Sequence, residues 1–122
     1  MNKTKMMKKN YEFRKVLSKG KYYSGKNIDA FIIENNKKCN YLGLAISTKV
    51  AKAVKRNMIK RLLRESYRKQ EGKIKEGYSI VFLWKRKVDI RQAVYSNIET
   101  DMNFIFDNAK IYKKEEIIWK KS

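Results

Sequence analysis

Hydrophobic and polar positions along the chain change their spacing several times, and each change marks a new predicted element. Apolar residues recur at helical spacing in some stretches and alternate or run together in shorter ones, which is typical of helices and strands respectively. In chain order, the pattern predicts a helix over 10–18, strands over 27–35 and 40–48, a helix over 49–70, a strand over 78–84 and a helix that begins after Asp89. This order predicts one α/β domain, with helices packed on a single sheet.

The residues between and within these elements indicate how the elements join. A short polar stretch separates the first two predicted strands, so we expect them to form an antiparallel hairpin. The strand over 78–84 has apolar residues on both faces, which favours a central, buried position in the sheet. Ser47 or Thr48 is expected to cap the start of the long helix, and Asp89 is expected to cap the last helix.

The long helix has two contrasting sides when its residues are spaced by about 100°. One side gathers the apolar residues that we expect to pack on the sheet: Ala51, Val54, Met58 and Leu62. Another side gathers cations over an arc of about 140° by the same geometry: Arg56, Lys60, Arg61, Arg64 and Arg68. Like charges at this spacing cost about 0.2–0.5 kcal/mol per pair, so a purely structural helix would normally interleave acidic residues.

The 49–69 segment does not interleave them. It holds nine basic residues against one acidic residue, Glu65. A solvated charged face is the ordinary interpretation of a basic helix. The missing acidic residues favour a phosphate-binding surface instead, since arginine offers planar, bidentate contacts to phosphate.

The composition excludes most classes of enzyme. The chain has 122 residues, of which 43% are hydrophobic, enough for one core. It has no histidine and a single cysteine, Cys39, which excludes histidine-based catalysis, an internal disulfide and a cysteine-based zinc site. One cysteine is typical of a reducing cytosol, so we expect a cytoplasmic protein. The longest apolar run, 80–84, is far too short to span a membrane.

The charge of the chain points to its partner. Lys and Arg number 31 against 12 Asp and Glu, which gives a net charge of +19. Residues 1–69 hold 20 of the basic residues and only 4 of the acidic ones. Such a surplus favours a polyanionic partner, nucleic acid first and an anionic membrane surface second. Since no strong apolar face is predicted beside the cationic one, we expect no membrane partner.

The basic helix also carries a recognisable motif. Residues 56–64 read Arg-Asn-Met-Ile-Lys-Arg-Leu-Leu-Arg, and the helix follows a Gly-Leu-Ala-Ile-Ser strand at 43–47. Residues 9–17, Lys-Asn-Tyr-Glu-Phe-Arg-Lys-Val-Leu, and 77–81, Gly-Tyr-Ser-Ile-Val, complete the pattern. With these motifs, the chain resembles the protein subunit of bacterial ribonuclease P over about residues 8–112. The motif directly after such a strand is specific, whereas a basic stripe alone is not.

The resemblance implies an α/β sandwich of αβββαβα order, with a four-stranded sheet, helices packed on it and a left-handed βαβ crossover. Spacing alone identifies three strands. The fourth, a short strand near Tyr22 and Tyr23 or after residue 34, comes from the resemblance. We expect a single domain over 1–122, with a flexible basic segment at 1–8 and a flexible tail at 113–122.

The resemblance further implies that the catalyst is an RNA and that this chain is its small protein partner. The holoenzyme hydrolyses a phosphodiester bond to remove the 5′ leader from precursor tRNA. Metal ions, normally Mg²⁺, activate the water and are held mainly by the ribonuclease P RNA, and no small-molecule cofactor is implied. The chain alone is not expected to be catalytic, which agrees with its lack of histidine and its scattered acidic residues.

Two sets of site residues follow from the resemblance. The basic helix and the residues before it are expected to contact the catalytic RNA: Lys49, Lys52, Arg56, Asn57, Lys60, Arg61, Arg64 and Arg68. A cleft between the first helix and the sheet is expected to hold the single-stranded leader: Phe13, Lys15, Leu17, Lys26 and Phe31. Aromatic faces stack on unpaired bases whatever their identity, which suits many different leaders.

Some of these positions leave alternatives open. The family often has a third basic residue where Met58 stands and a second aromatic where Leu17 stands, so Leu17 is expected to supply apolar contact. Asn57 would either bond a nucleotide or order the local backbone. Asp29 shares the strand face of Phe31, and its carboxylate would either repel a phosphate or bind a metal ion. The alternative function is a ribosomal or chaperone-type structural RNA-binding protein, which needs no leader cleft.

Overall fold

The computed structural model of the chain describes residues 3–113. Within this range there are three α-helices: α1, Asn10–Lys19; α2, Ala53–Gln70; and α3, Tyr95–Ala109. Five strands form one sheet: β1, Thr4–Met6; β2, Lys21–Ser24; β3, Ile28–Glu34; β4, Asn40–Leu44; and β5, Tyr78–Trp84. Short 3-10 helices follow α2 and precede α3: Glu71–Lys73 and Ile90–Gln92.

β5 lies at the centre of the sheet, as its apolar residues on both faces predict. The strand order is β1-β4-β5-β3-β2, with β5 antiparallel to β3 and parallel to β4. The prediction of an α/β fold is confirmed, and the strand expected near Tyr22 and Tyr23 is β2. β4, α2 and β5 form a parallel crossover unit whose left-handed sense stays a prediction.

The predicted hairpin between β3 and β4 is wrong. The two strands do not pair, because β5 lies between them and is hydrogen-bonded to both. Adjacent strands lie about 4.8 Å apart, so the connection over 35–39 has only to cross about 10 Å. In this connection Asn36 has a φ of 59°, and the backbone N–H of Asn35 donates to the Gly77 carbonyl oxygen at 2.8 Å. A short polar stretch therefore predicts a change of direction but not the pairing partner.

The sheet has five strands rather than the four that the resemblance implies, because the N-terminal segment adds β1. Residues 4–6 pair in parallel with 40–42 of β4. A hydrogen bond of 2.7 Å between the Thr4 and Tyr67 hydroxyls ties β1 to α2. The segment that was expected to be flexible thus contains a strand. The expected flexible tail lies outside the described residues from 114 onward.

The sheet separates two apolar clusters. α2 and α3 cover the main core, in which Tyr67 and Phe106 are fully buried. On the opposite face, α1 covers a smaller cluster built on Met7, Val16 and Val81. Within residues 3–113, no helix has both the length and the apolar character needed to cross a membrane.

Two predicted helix starts are displaced. The Ser47 hydroxyl accepts a backbone N–H at 3.1 Å within a turn that also contains Thr48. α2 starts only after Lys52, without a side-chain cap. Asp89 caps the 3-10 helix before α3 by accepting the Arg91 amide at 2.8 Å. Capping side chains were thus recognised, but they stabilise the short turns that precede the helices.

The buried side of α2 also differs from the predicted one. Ile59, Leu63 and Tyr67 are fully buried, whereas Val54 is 80% exposed and Met58 is only partly buried. The larger side chains in the second half of the helix bury more apolar area, and they decide which side faces the sheet. The first turn of α2 therefore leaves Val54 in solvent.

Candidate nucleic-acid interface

The outer side of α2 is a cationic surface. We define this surface by the polar residues that the sequence assigned to RNA contact within α2: Arg56, Asn57, Lys60, Arg61, Arg64 and Arg68. Helical geometry spreads these residues over about 140°. Asn57, Arg61 and Arg68 are exposed, and the other three are half-buried at the edge of the helix. The structure therefore brings together all six residues of α2 that were expected to contact RNA, five of which belong to the motif at 56–64.

Little negative charge compensates this surface. Glu65 is the one acidic residue of α2, and its carboxylate lies 3.9 Å from the Arg61 guanidinium. Both side chains are largely exposed, so solvent screens this pair and it contributes little. Among residues 3–113, no other salt bridge involves the cationic surface. An uncompensated row of arginines of this kind matches a row of phosphates.

Lys49 and Lys52 extend the cationic surface toward the loop before α2. Both lysines are exposed, and Lys52 is the residue that immediately precedes the helix. The Arg56 guanidinium donates to the Ala51 carbonyl oxygen at 2.7 Å. Arg56 therefore holds this loop against the helix in addition to carrying charge toward the outer side.

The opposite face of the sheet carries a groove beside α1. In the sheet register, Tyr22, Phe31, Val81 and Gly43 occupy one transverse row across β2, β3, β5 and β4. We define the aromatic groove by the half-buried or exposed residues on this side of α1: Phe13, Leu17, Tyr22, Phe31 and Leu83. The Tyr22 and Phe31 rings are 5.3 Å apart, so they form one continuous aromatic area.

Phe13 reaches the sheet because Gly43 has no side chain. A Cβ at position 43 would lie 2.6 Å from Phe13 Cε1 and 2.8 Å from Met7 Sδ. Val81 separates Gly43 from Phe31 in the row, so the backbone at Gly43, where Phe13 packs, lies about 10 Å from that of Phe31. The structure thus places the two predicted aromatic residues on the same open surface, and Leu17 lies one helical turn after Phe13.

The floor of the groove ends in a polar cluster. The Lys85 ammonium lies 2.5 Å from an Asp29 carboxylate oxygen and 2.6 Å from the Ser24 hydroxyl. Desolvation lowers the pKa of Lys85, but the hydrogen bond and charge of Asp29 outweigh it and the pKa is raised, so the lysine stays charged. Only 25% and 21% of the Lys85 and Asp29 side chains are exposed. The Asp29 carboxylate therefore has an ammonium partner inside the chain.

The two predicted leader lysines differ in their position relative to the groove. Lys15 follows Phe13 by two positions, about 200° around α1, and lines a hollow on the other flank of that helix. Lys26 is exposed in the turn between β2 and β3, next to the end of the groove that holds Asp29. Of the five predicted leader residues, Lys15 is therefore separated from the aromatic groove by α1 itself.

Sequence reasoning missed three residues of this surface: Tyr22, Leu83 and Lys85. Tyr22 is 50% exposed beside Phe31, and Lys85 pairs with Asp29. Alternation along β2 would place Tyr22 on one face, but only the strand register shows that this face is the one that carries Phe31. The Lys85 partnership depends on the antiparallel pairing of β3 with β5, for which the sequence contains no local signal.

The described part of the chain contains no cluster of side chains that could form a metal site. Across residues 3–113, no group of three or more histidine, cysteine, aspartate or glutamate side chains lies close enough to hold an ion. Asp29, the candidate from the sequence, is engaged by Lys85.

The comparisons with known proteins agree on one family. The family model described as Ribonuclease P matches residues 1–110. A ribonuclease P protein component of Alkaliphilus metalliredigens is 35% identical over 111 residues, which cover 91% of this chain and 98% of that protein. One of Clostridioides difficile is 38% identical over 111 residues, covering 90% and 96%.

Solved structures show the same fold. The RNase P protein of Staphylococcus aureus superimposes with a TM-score of 0.77 at 23% identity, covering 88% of this chain and 97% of that one. The RNase P protein from Thermotoga maritima gives a TM-score of 0.73 at 22% identity, covering 83% and 94%. At these identities the superpositions show only that the fold is the same.

Proposed function

The chain belongs to the ribonuclease P protein family and is a protein subunit of the ribonucleoprotein endoribonuclease that processes tRNA 5′ ends. From this we propose that its two surfaces bind two different RNAs. The cationic surface of α2 binds the catalytic RNA subunit. The aromatic groove beside α1 binds the single-stranded 5′ leader of precursor tRNA. The observation that carries the proposal is that the sheet separates the two surfaces, so that one chain can hold both RNAs at once.

The cationic surface suits a folded RNA. Its arginines and lysine are fixed on one rigid helix, and their spacing along α2 follows the helical repeat. Guanidinium groups bind phosphates in a bidentate manner whatever the base sequence. Binding of this kind depends strongly on salt, since each phosphate contact releases a condensed counterion.

The aromatic groove suits an unpaired strand. Phe13, Phe31 and Tyr22 are partly exposed, and they lie where α1 borders strands β2 and β3 of the sheet. Bases stack on such rings without being identified by hydrogen bonds. A subunit that must accept many leaders requires this tolerance, and a double-stranded RNA could not offer its base faces to the rings.

The chemistry of phosphodiester hydrolysis belongs to the RNA and its metal ions in this proposal. Mg²⁺ ions, held mainly by the RNA subunit, activate the water, and the chain contributes positive charge and positioning. This assignment is supported by the acidic residues, which form no ion-binding group within residues 3–113. The single cysteine remains the ground for expecting a cytoplasmic protein.

The proposal is tested by separating the two surfaces with one substitution in each. Arg64→Ala should weaken binding of the catalytic RNA and reduce the slope of log affinity against log salt by about one. The ratio of precursor to mature tRNA affinity of the holoenzyme should stay unchanged. Phe31→Ala should lower that ratio by about 5- to 150-fold, the effect of losing one stacked base.

Phe104→Ala is the matched control, because Phe104 is an exposed aromatic residue on α3, outside both surfaces. It should change neither measurement. If Phe31→Ala weakened precursor and mature tRNA equally, the leader groove would be wrong. The ribosomal or chaperone-type alternative would then become the better account of the groove.

A further inference from the structure

A second hollow lies on the other flank of α1. Its volume is about 360 Å³. Its floor is the sheet row that neighbours the aromatic row, with Ile33, Ser79 and Tyr41 on β3, β5 and β4. Tyr11 and Lys15 line it from α1.

α1 separates this hollow from the aromatic groove. Phe13 and Leu17 lie on one flank of the helix, whereas Tyr11 and Lys15 lie on the other. A helix with its side chains is about 10 Å across, so a strand in the groove cannot enter the hollow without crossing over α1. The hollow is therefore a separate surface and requires its own occupant.

The connection between β3 and β4 forms the wall opposite α1, and hydrogen bonds within the chain already order it. The side-chain amide of Asn35 donates to the Cys39 carbonyl oxygen and to the Ser79 hydroxyl, each at 3.2 Å. The Asn35 side-chain oxygen accepts the Lys37 amide at 2.8 Å. These bonds fix the connection that carries the Lys37 side chain over the hollow.

Two aromatic rings at the hollow are associated with ammonium groups. The Lys37 ammonium lies 5.5 Å from the centre of the Tyr41 ring, and the Lys9 ammonium lies 5.9 Å from that of Tyr11. Exposed contacts of this kind contribute only about 0.5–1 kcal/mol, so a base can displace the lysine from the ring face. The displaced ammonium remains within reach of the phosphate that accompanies the base.

The two carboxylates of the hollow have different effects. Glu12 is engaged in starting α1, since one of its oxygens accepts the Lys9 amide at 3.0 Å and the Lys8 amide at 3.3 Å. Glu34 is exposed at the end of β3 on the rim of the hollow, and strand alternation places its side chain with Tyr78 on the other face of the sheet. Its charge opposes a phosphate near Lys37 only from across this rim, so removing that charge should strengthen the binding of an anionic ligand slightly.

We propose that this hollow binds an unpaired nucleotide of an RNA. The base stacks on Tyr11 above the row of Ile33, Ser79 and Tyr41, and the phosphate lies between Lys15 and Lys37. The site is distinct from the leader groove in residues and in position, so its existence does not depend on the assignment of that groove.

The test is a titration of the full chain with the tetranucleotide UUUU, followed by the backbone amide resonances. Binding at the hollow should shift the amides of Ile33, Tyr41 and Ser79. Tyr11→Ala should weaken this binding by about 5- to 150-fold, the range for one lost base-stacking contact. Tyr11 is 61% exposed, so its replacement leaves the fold intact. Tyr22→Ala, at an exposed tyrosine of the aromatic groove, should leave these three shifts unchanged.

Two charge variants give results of opposite sign. Lys37→Ala should weaken the binding that shifts these amides, and Glu34→Gln should strengthen it. A structural role alone would not produce this reversal. Shifts confined to the aromatic row, or equal effects of Tyr11→Ala and Tyr22→Ala on the hollow, would overturn the proposal.

The source of the nucleotide is found with the whole RNAs. If Tyr11→Ala weakens binding of the catalytic RNA by the chain, the nucleotide belongs to that RNA. If it weakens only the binding of precursor tRNA by the holoenzyme, the nucleotide belongs to the substrate. If Tyr11→Ala changes the affinity for neither RNA, the hollow does not bind RNA and the proposal is overturned.

Discussion

At the scale of single residues, Gly43 determines whether Phe13 can reach the sheet. The strand residue and the helix residue approach so closely that no side chain fits between them. The sequence showed a glycine inside a strand, but it could not show what lies against it. The loss of stability on adding a side chain at position 43 therefore measures how closely Phe13 packs on Gly43.

Gly43→Ala should destabilise the chain by about 1–3 kcal/mol, because the new methyl group overpacks Phe13 and Met7. Denaturant unfolding of the full chain measures the change. Gly72→Ala is the matched control, since no heavy atom lies within 4 Å of the position a Cβ would take there. Equal effects of the two substitutions would show that Phe13 does not pack on Gly43.

The Asp29–Lys85 pair bears on an alternative that the sequence left open. An unpaired carboxylate beside Phe31 would repel the backbone of an RNA strand, whereas the observed ammonium partner neutralises it. The pairing could not be predicted, because it requires the register of β3 against β5.

Lys85→Met should weaken the binding of precursor tRNA by the holoenzyme, because it leaves the Asp29 charge uncompensated in the groove. The double variant Asp29→Asn with Lys85→Met should recover most of the lost affinity. Affinities measured for wild type, both single variants and the double variant form a complete cycle. A double variant that is as weak as Lys85→Met would contradict the neutralising role of the lysine.

At the scale of elements, the spacing of apolar residues predicted single helices and strands but not how the strands pair. The apolar spacing located α1 within one residue and β5 at its observed bounds. The start of α2 was wrong, because Ser47 caps a turn that precedes the helix. The partner of β4 was also wrong, and β1 was missed, because strand pairing depends on residues distant in sequence. Three residues of β1 carry no periodicity long enough to detect.

Besides its pairing with β4, β1 is held by a hydrogen bond to Tyr67 of α2. The Tyr67 hydroxyl bonds the Thr4 hydroxyl at 2.7 Å and accepts from the Asn40 amide group at 3.3 Å. Burial raises the pKa of this hydroxyl, so it stays protonated at neutral pH and can donate to Thr4. β1 and β4 thus share one buried partner on α2.

Tyr67→Phe should lower the free energy of unfolding by about 1–3 kcal/mol, because it removes both bonds and leaves Asn40 with one fewer partner. It should also speed hydrogen exchange of the Met7 amide, which donates to the Leu42 carbonyl oxygen next to β1. Tyr11→Phe, at an exposed tyrosine, should change neither measurement. Unchanged exchange at Met7 in Tyr67→Phe would show that the hydroxyl does not hold β1.

At the scale of the whole molecule, one sheet carries two surfaces with different chemistry. The outer side of α2 is cationic, and the α1 face is apolar and aromatic. The sequence predicted the cationic surface well, because all its residues come from one helix. It predicted the groove only in part, since Phe13 and Phe31 come from different elements and Lys15 lies on the opposite flank of α1.

The most direct test of the account is cleavage of precursor tRNA at low Mg²⁺ by a bacterial ribonuclease P RNA, with and without this chain. The chain alone should be inactive, and together with the RNA it should restore cleavage at the 5′ end of the mature tRNA. The Phe31→Ala chain should restore cleavage less well at limiting precursor concentration. Binding of the RNA without restored cleavage, or cleavage by the chain alone, would contradict the account.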